Sequence, residues 1–223
     1  MKKHNSHIGV LGLGSRATMF YIDQLNKKYH AVYGGYSTCP FVLLNADFND
    51  LNPFLPNLFD ELKTNLLPYF MALCKMEIGS LILPNITLHE TVDLMEVESN
   101  FQYSVIHPIE STLTKLKKDE VKEVVLFGSL YSMQGSYIKK KFKERGISIV
   151  LPTEDEMNFT DDFRKCIYEN KETSSDLIRF KQLVQSYAMS KSVVIACTEL
   201  SLVLEVMKPK VYDMARIQIA NAF

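Results

Sequence analysis

The sequence predicts an α/β protein of two pseudo-symmetric lobes, each a mainly parallel sheet flanked by helices. Three observations lead to this fold class. Short apolar runs recur along the 223 residues, and helical patterns separate most of them, as in βαβ units. The runs are continuously apolar, which is typical of strands that are covered by helices on both faces. A similar succession occurs in residues 8–98 and 103–198, which suggests internal duplication.

Seven runs are predicted to be strands, in this order along the chain: residues 8–11, 41–44, 80–83, 103–106, 123–127, 147–151 and 193–196. Helices are predicted at residues 15–28, 53–77, 88–98, 109–119, 132–144, 154–169, 174–190 and 199–206. We assign residues 1–100 plus 207–223 to the first lobe and 101–206 to the second. In this assignment, the segment from Val211 returns to the first lobe as an edge strand and a closing helix.

The composition excludes several classes of partner. The chain has 25 basic and 26 acidic residues and a net charge of −1, so no basic field favours nucleic acid or an anionic membrane. No apolar run approaches transmembrane length, and the glycine-broken N-terminal stretch is too short for a signal peptide. The four cysteines have no CxxC spacing, so we expect no metal site and a reduced, cytoplasmic protein.

The carboxyl ends of parallel strands are where open α/β sheets place their ligands, and the last predicted strand ends in a thiol. Cys197 follows residues 193–196 and precedes a predicted helix. A helix start favours thiolate over thiol, so this position predicts a lowered pKa and an acid/base role for Cys197. The alternative is a small buried residue that merely ends a strand.

The first strand is followed by a weak dinucleotide-binding motif. Gly12, Gly14 and Ala17 match G-x-G-x-x-A between a strand and a helix. That fingerprint expects an acidic residue about 20 positions on, at the end of the second strand, to hold the ribose. Here the second strand ends at residues 45–47, roughly a dozen residues too late by that rule. We therefore expect neither a nicotinamide nor a flavin cofactor.

Five segments at strand ends carry a more specific pattern: residues 8–15 with Ala17 and Thr18, 45–48, 83–89, 126–133 and 197–199. Gly128-Ser129 followed by Ser132-Met133 is close to a Gly-Thr-x-x-Thr-Met motif, and Cys197-Thr198-Glu199 closes the set. Together these segments resemble the aspartate/glutamate racemase superfamily, and they cover essentially the whole chain. Asp213 resembles the acidic residue that the family places on its last strand.

The resemblance implies two α/β lobes with the site in the cleft between them and chemistry that needs no cofactor. In the family, two thiols face the substrate α-carbon from opposite sides; one removes the α-proton and the other returns a proton to the opposite face. Here it implies that Cys197 is the acid/base and that Asn85 occupies the position of the first thiol. The implied substrate contacts are Ser15, Asn45, Thr87, Ser129, Ser132, Met133, Thr198 and Glu199. Family members are often dimers, so a homodimer is an open alternative to a monomer.

This sequence departs from the family at Asn85, where the family usually carries its first cysteine. An amide does not transfer protons near neutral pH, so two-thiol racemisation is in doubt. No replacement stands out: His89 lies one helical turn further on, where an outward-facing or capping role is expected. Cys74 falls in an apolar helical stretch, and Thr87 is a poor base.

Three functions therefore remain open from the sequence. The first is a racemase, epimerase or related isomerase that acts on a small amino acid or carboxylic acid. The second is a decarboxylase of the arylmalonate-decarboxylase type, in which one thiol protonates one face. The third is a catalytically impaired relative that only binds a carboxylate. An acidic substrate side chain would need a cation, for which Arg16, Arg164 and Lys165 are candidates.

Overall fold

The structure, a computed structural model, describes residues 7–98, 101–204 and 209–223. The strands found in these residues are β1 (His7–Gly12), β2 (Phe41–Asn45), β3 (Ile78–Ile82), β4 (Ser104–Val105), β5 (Glu123–Gly128), β6 (Ser148–Val150), β7 (Ser192–Ala196) and β8 (Val211–Asp213). The helices are α1 (Ser15–Tyr33), α2 (Phe59–Cys74), α3 (His89–Glu98), α4 (Pro108–Lys118), α5 (Leu130–Gln134), α6 (Ser136–Glu144), α7 (Glu154–Tyr168), α8 (Ser174–Ala188), α9 (Thr198–Val203) and α10 (Met214–Ala220). Two short 3-10 helices lie at Phe48–Asp50 and Asn52–Phe54.

The strands form two four-stranded sheets with the same order. The first sheet runs β2-β1-β3-β4 and the second runs β6-β5-β7-β8. Every recorded strand pair is parallel. Each sheet thus repeats the order 2-1-3-4 of its own strands, which confirms the predicted α/β fold of two similar parallel units and supports the suggested duplication.

The chain divides into two compact units, but the boundaries differ from the predicted ones. The first unit contains residues 1–107 and 218–223, and the second contains residues 108–217. The strand at residues 104–105 was assigned to the second lobe, yet β4 pairs with β3 of the first sheet. The segment from Val211 was assigned to the first lobe, yet β8 pairs with β7 of the second. The two strand assignments were wrong, because the fourth strand of each sheet pairs with the third strand of the same sheet. Residues 218–223, which end the predicted closing helix, do belong to the first unit as predicted.

Two predicted helices differ from the observed ones: one begins later, after two prolines, and the other is divided at a glycine. Residues 53–58 precede α2 and contain Pro53 and Pro56, so the regular helix begins only at Phe59. Residues 132–144 divide into α5 and α6 at Gly135, whose backbone is extended at φ −60° and ψ 162°. A Cβ atom at this glycine would lie 2.5 Å from the carbonyl oxygen of Tyr131, so no other residue fits without a shift.

Each unit has its own apolar core. In the first, Leu66 and Phe70 of α2 belong to the same buried cluster as Leu81 of β3. In the second, Phe163 and Phe180 of the helices cluster with the strand residue Ile195, and Cys197 belongs to this cluster. The inner strands β1, β5 and β7 are buried as the sequence predicted, whereas the edge strand β2 is only partly buried and its Leu43 is exposed. In the described residues, no helix combines the length and the apolar character that a membrane span requires.

Candidate active site

Cys197 lies where the sequence placed it, between β7 and α9. It is the N-cap residue of α9, with extended backbone at φ −156° and ψ 126°. Only 6% of its surface is exposed. Its Sγ atom donates a hydrogen bond to Oε2 of Glu199 at 3.1 Å. The resting arrangement is therefore a neutral thiol whose proton faces a carboxylate.

The predicted lowering of the Cys197 pKa was wrong, because burial outweighs the helix start. Burial raises the pKa of Cys197 well above its ordinary value, and the charge of Glu199 raises it further. The Arg164 guanidinium and the Leu200 N–H act in the opposite direction and do not compensate. A desolvated thiolate next to a carboxylate is less stable than the thiol that donates to it.

Of the cations proposed from the sequence, Arg164 is one that interacts electrostatically with the Cys197 thiol of the second unit. It lies on α7, which packs against α9. Burial lowers the pKa of Arg164, but Cys197, Asp161 and Glu199 together raise it above its ordinary value. Lys165 instead pairs with Asp161 at 2.7 Å and with Asp162, and half of its side chain is exposed. Arg164 is thus the better candidate to stabilise a thiolate or a substrate carboxylate.

The predicted hydroxyl contacts of the second unit lie at two strand ends. Ser129 follows β5 and caps α5, accepting from the Ser132 N–H at 3.1 Å, and the two hydroxyl oxygens are 3.0 Å apart. Thr198 is 2% exposed, and its Oγ1 forms no hydrogen bond with the described residues. Because buried hydroxyls are normally paired, Thr198 is suited to meet a ligand. Met133 is different: its side chain is fully buried and packs in the core.

A buried network around Asp213 holds α9, and of its members the sequence analysis had singled out only Asp213. Ser201 Oγ lies 2.8 Å from Asp213 Oδ1 and 3.1 Å from the carbonyl oxygen of Cys197. Arg216 pairs with Asp213 and donates from Nη2 to the carbonyl oxygen of Leu204 at 2.7 Å. The only sequence signal for Ser201 is its spacing of four residues from Cys197, which is one helical turn. This network fixes the short helix that carries Glu199.

In the first unit, Asn85 follows β3 and caps the turn that leads into α3. Its Oδ1 accepts from the Leu88 N–H at 3.0 Å. Its backbone oxygen lies 2.7 Å from Nδ1 of His89. Asn85 therefore has a structural role as a cap of this turn. Thr87, the other predicted contact of this turn, is half-buried.

His89 is fully buried and is not the outward-facing residue that helical spacing suggested. Burial, followed by the neighbouring His107, lowers the pKa of His89 to about 3. The two imidazole rings meet edge to face, with centroids 4.8 Å apart, and His107 Nε2 lies 3.3 Å from Asp93. Gln218 Nε2 lies 3.5 Å from Nε2 of His89. The geometry describes a neutral core histidine.

Ser15 is the first residue of α1, and Asn45 is the last residue of β2; both are exposed. The glycine-rich opening before Ser15 has a packing reason. A Cβ atom at Gly12 would clash with the Asn45 side chain and would approach Thr18 Cγ2 to 3.1 Å. The Thr18 hydroxyl in turn accepts from the Leu13 N–H at 3.0 Å. In the described residues, no group of three or more His, Cys, Asp and Glu side chains is arranged to hold a metal ion.

No family model matches the chain, whereas solved structures match it over nearly its whole length. A candidate Asp/Glu racemase from Yersinia pestis is 18% identical, with a TM-score of 0.80 and 97% of each chain covered. An aspartate racemase homologue from Pyrococcus horikoshii is 19% identical, with a TM-score of 0.79 and 97% and 96% covered. A glutamate racemase from Bacillus anthracis is 14% identical, with a TM-score of 0.63 and 99% and 80% covered. At these identities the likeness shows the fold, and it agrees with the resemblance drawn from the sequence.

Proposed function

We propose that this protein is a cofactor-independent, racemase-like isomerase of a small amino acid or carboxylic acid, with Cys197 as the proton-transferring group. The observation that carries the proposal is the buried thiol of Cys197, which donates to Glu199 at 3.1 Å after the end of β7. The fold shared with the solved racemases supports the assignment.

The Glu199 carboxylate and the Arg164 guanidinium near Cys197 suit a thiol that can pass its proton to a neighbouring group. For the thiol to act as a base, its proton must first leave, and Glu199 Oε2 is the acceptor already in contact with it. Arg164 favours the resulting thiolate. The thiolate then takes the α-proton, and the electron pair of the C–H bond moves into the substrate carboxylate as it becomes an enediolate. Arg164 and the hydroxyls of Thr198 and Ser132 are the proposed partners for that developing charge.

The return of the proton decides the outcome. If Cys197 reprotonates the same face after its thiol proton has exchanged with solvent, the substrate exchanges its α-hydrogen and keeps its configuration. Racemisation needs a second donor on the other face. The resemblance places Asn85 at the family's first thiol position, and neither its amide nor the Thr87 hydroxyl is an acid near neutral pH.

A second candidate function is a one-face decarboxylase, and Asn85 is the observation that favours it. Its Oδ1 already accepts from Leu88 N, so the position provides a cap and no titratable group. In this reaction the C–CO2 bond breaks, CO2 leaves, and its electron pair remains on the α-carbon as an enediolate. The Cys197 thiol then delivers its proton to that carbon. A thiol that is protonated at rest fits this order directly.

The test is α-proton exchange in D2O, followed by NMR and chiral chromatography. The panel consists of both enantiomers of common amino acids, small diacids and disubstituted malonates, with Cys197→Ser as the control. Racemisation with deuterium uptake supports the isomerase, and uptake with retained configuration supports one-face exchange. Loss of CO2 with one deuterium incorporated supports the decarboxylase. Tight binding of a carboxylate with none of these reactions would overturn the proposal in favour of an inert binder.

A further inference from the structure

Asp161 of α7 is a buried carboxylate that the proposed chemistry does not use directly. It is 3% exposed, although aspartate is almost never fully buried unless it is paired. Its Oδ1 accepts from the backbone N–H of Leu130 at 3.0 Å and from Arg164 Nε at 2.7 Å. Its Oδ2 lies 2.7 Å from Lys165 Nζ. The Oδ1 atom of Asp161 therefore connects the turn after β5 with the Arg164 side chain of α7.

The turn held by Leu130 is the one that carries the predicted hydroxyl pair. Leu130 comes directly after Ser129, which caps α5 and contacts Ser132. A hydrogen bond from Leu130 to a fixed acceptor restricts the backbone at this point. Asp161 lies on α7, 31 residues further along the chain. The hydrogen bond therefore restrains the distance between this turn and α7.

Arg164 is the second group that Asp161 restrains. The contact uses Nε alone, so the two Nη groups stay able to donate to other partners. The side chain is 29% exposed and α7 packs against α9. The groups that raise the pKa of the guanidinium are Cys197, Asp161 and Glu199. An arginine has many rotamers, and a short hydrogen bond at Nε selects among them.

We infer that Asp161 is a positioning residue, which holds the Arg164 guanidinium beside Cys197 and Glu199 and fixes the Ser129–Ser132 turn in the same contact. The inference rests on the proposed function, because it assigns Asp161 to the site of Cys197. Asp161 touches neither the thiol nor a substrate and acts through Arg164. Its ionic state fits this role: although burial raises its pKa, Lys165, the Leu130 N–H and Arg164 lower it below its ordinary value overall.

The test is a double-mutant cycle that reads the thiolate fraction of Cys197 and needs no turnover. The second-order rate of iodoacetamide modification of Cys197 is followed by site-resolved mass spectrometry at pH 8, below the raised pKa of the thiol, where this rate is proportional to the thiolate fraction. Arg164→Met should lower the rate by about tenfold, since loss of a nearby opposite charge raises a pKa by about one unit. In an Asp161→Asn background, the same change should lower the rate by about threefold or less.

Lys165→Met is the matched control. It removes the other cation of the same carboxylate and should leave the effect of Arg164→Met unchanged. If Asp161→Asn does not fold, Asp161→Glu takes its place, because it keeps the charge but displaces the carboxylate by one methylene. Equal rate reductions in both Asp161 backgrounds would overturn the inference, even in a protein that racemises its substrate. A smaller reduction in the Asp161→Asn background would support it even if the exchange assays find no substrate, so the two proposals fail separately.

Discussion

The thiol of Cys197 and the carboxylate of Glu199 are joined by a hydrogen bond of 3.1 Å from Sγ to Oε2, two residues apart at the start of α9. The carboxylate has two opposite effects on the thiol. Its charge raises the pKa of Cys197 and so keeps the proton in place at rest. The Glu199 carboxylate is also the acceptor to which the thiol proton can move when a bound substrate changes the charge around the site.

Glu199→Gln should therefore make the thiol more acidic while it slows turnover. Loss of the negative charge lowers the pKa of Cys197, so alkylation of Cys197 at pH 8 should become faster. Loss of the proton acceptor should reduce α-proton exchange. Glu169→Gln is the control, since Glu169 is an exposed residue of the same unit that pairs with Lys171. An alkylation rate that does not increase would contradict the electrostatic role given to Glu199.

Cys197→Ser should abolish proton transfer and preserve the fold. General acid–base groups contribute about 10²–10⁴-fold, and a hydroxyl is a far weaker acid than a thiol, so exchange should fall by at least that range. The measurements are deuterium uptake and a melting curve. Cys166→Ser removes a half-buried thiol of α7 and should leave exchange unchanged. Undiminished exchange in Cys197→Ser would remove Cys197 from the mechanism.

The position of Cys197 could be predicted from sequence, whereas its acidity could not. A continuously apolar, β-branched run followed by polar residues is enough to indicate a buried strand and the start of a helix. The sign of the pKa shift depends on how far the thiol is desolvated and on a contact with a side chain. Those quantities come from tertiary packing, and local sequence carries no signal for them.

Long-range partners were also beyond the sequence. The Asp161 carboxylate accepts a hydrogen bond from the Leu130 N–H across 31 residues, and the sequence analysis did not single out Asp161. The edge strand β8 was recognised, but its sheet was assigned wrongly because three-residue strands carry too little pattern to choose a partner. The burial of His89 was likewise beyond the sequence. Its spacing places it at the start of α3, but only tertiary packing determines which face of α3 is buried.

His89 should make the protein less stable in acid. Its pKa is about 3 in the folded protein against 6.5 ordinarily, so between these values the unfolded chain binds a proton that the folded chain does not. The free energy of unfolding should therefore fall as pH decreases from about 6.5 toward 3, by at most about 1.4 kcal/mol per pH unit from this group. His89→Gln should reduce that slope in urea unfolding at a series of pH values.

The comparison must separate His89 from the other groups that titrate in acid. His107 and Asp93 face it, so both stay unchanged in every variant. His30→Gln is the control, because it removes an exposed histidine near the end of α1 by the same substitution. Equal slopes for His89→Gln and the wild type would show that His89 is protonated in the folded protein.

The last prediction concerns Asn85, which the resemblance places at the first thiol position of the family. The wild type should show little or no two-way racemisation of aspartate or glutamate, because an amide transfers no proton near neutral pH. Asn85→Cys adds a titratable group, and racemisation should rise if the site accepts the substrate. The same change removes the cap on Leu88 N, so the free energy of unfolding should fall by about 1 kcal/mol.

Two further variants separate the proton from the cap at this position. Asn85→Ala loses the cap without gaining a titratable group, so it should be destabilised like Asn85→Cys and should not racemise. Asn85→Asp keeps an acceptor for the Leu88 N–H and should retain stability. Chiral chromatography and melting curves on the four proteins provide both readouts. Vigorous racemisation by the wild type would contradict the one-thiol interpretation and would direct attention to Thr87, since the imidazole of His89 is fully buried.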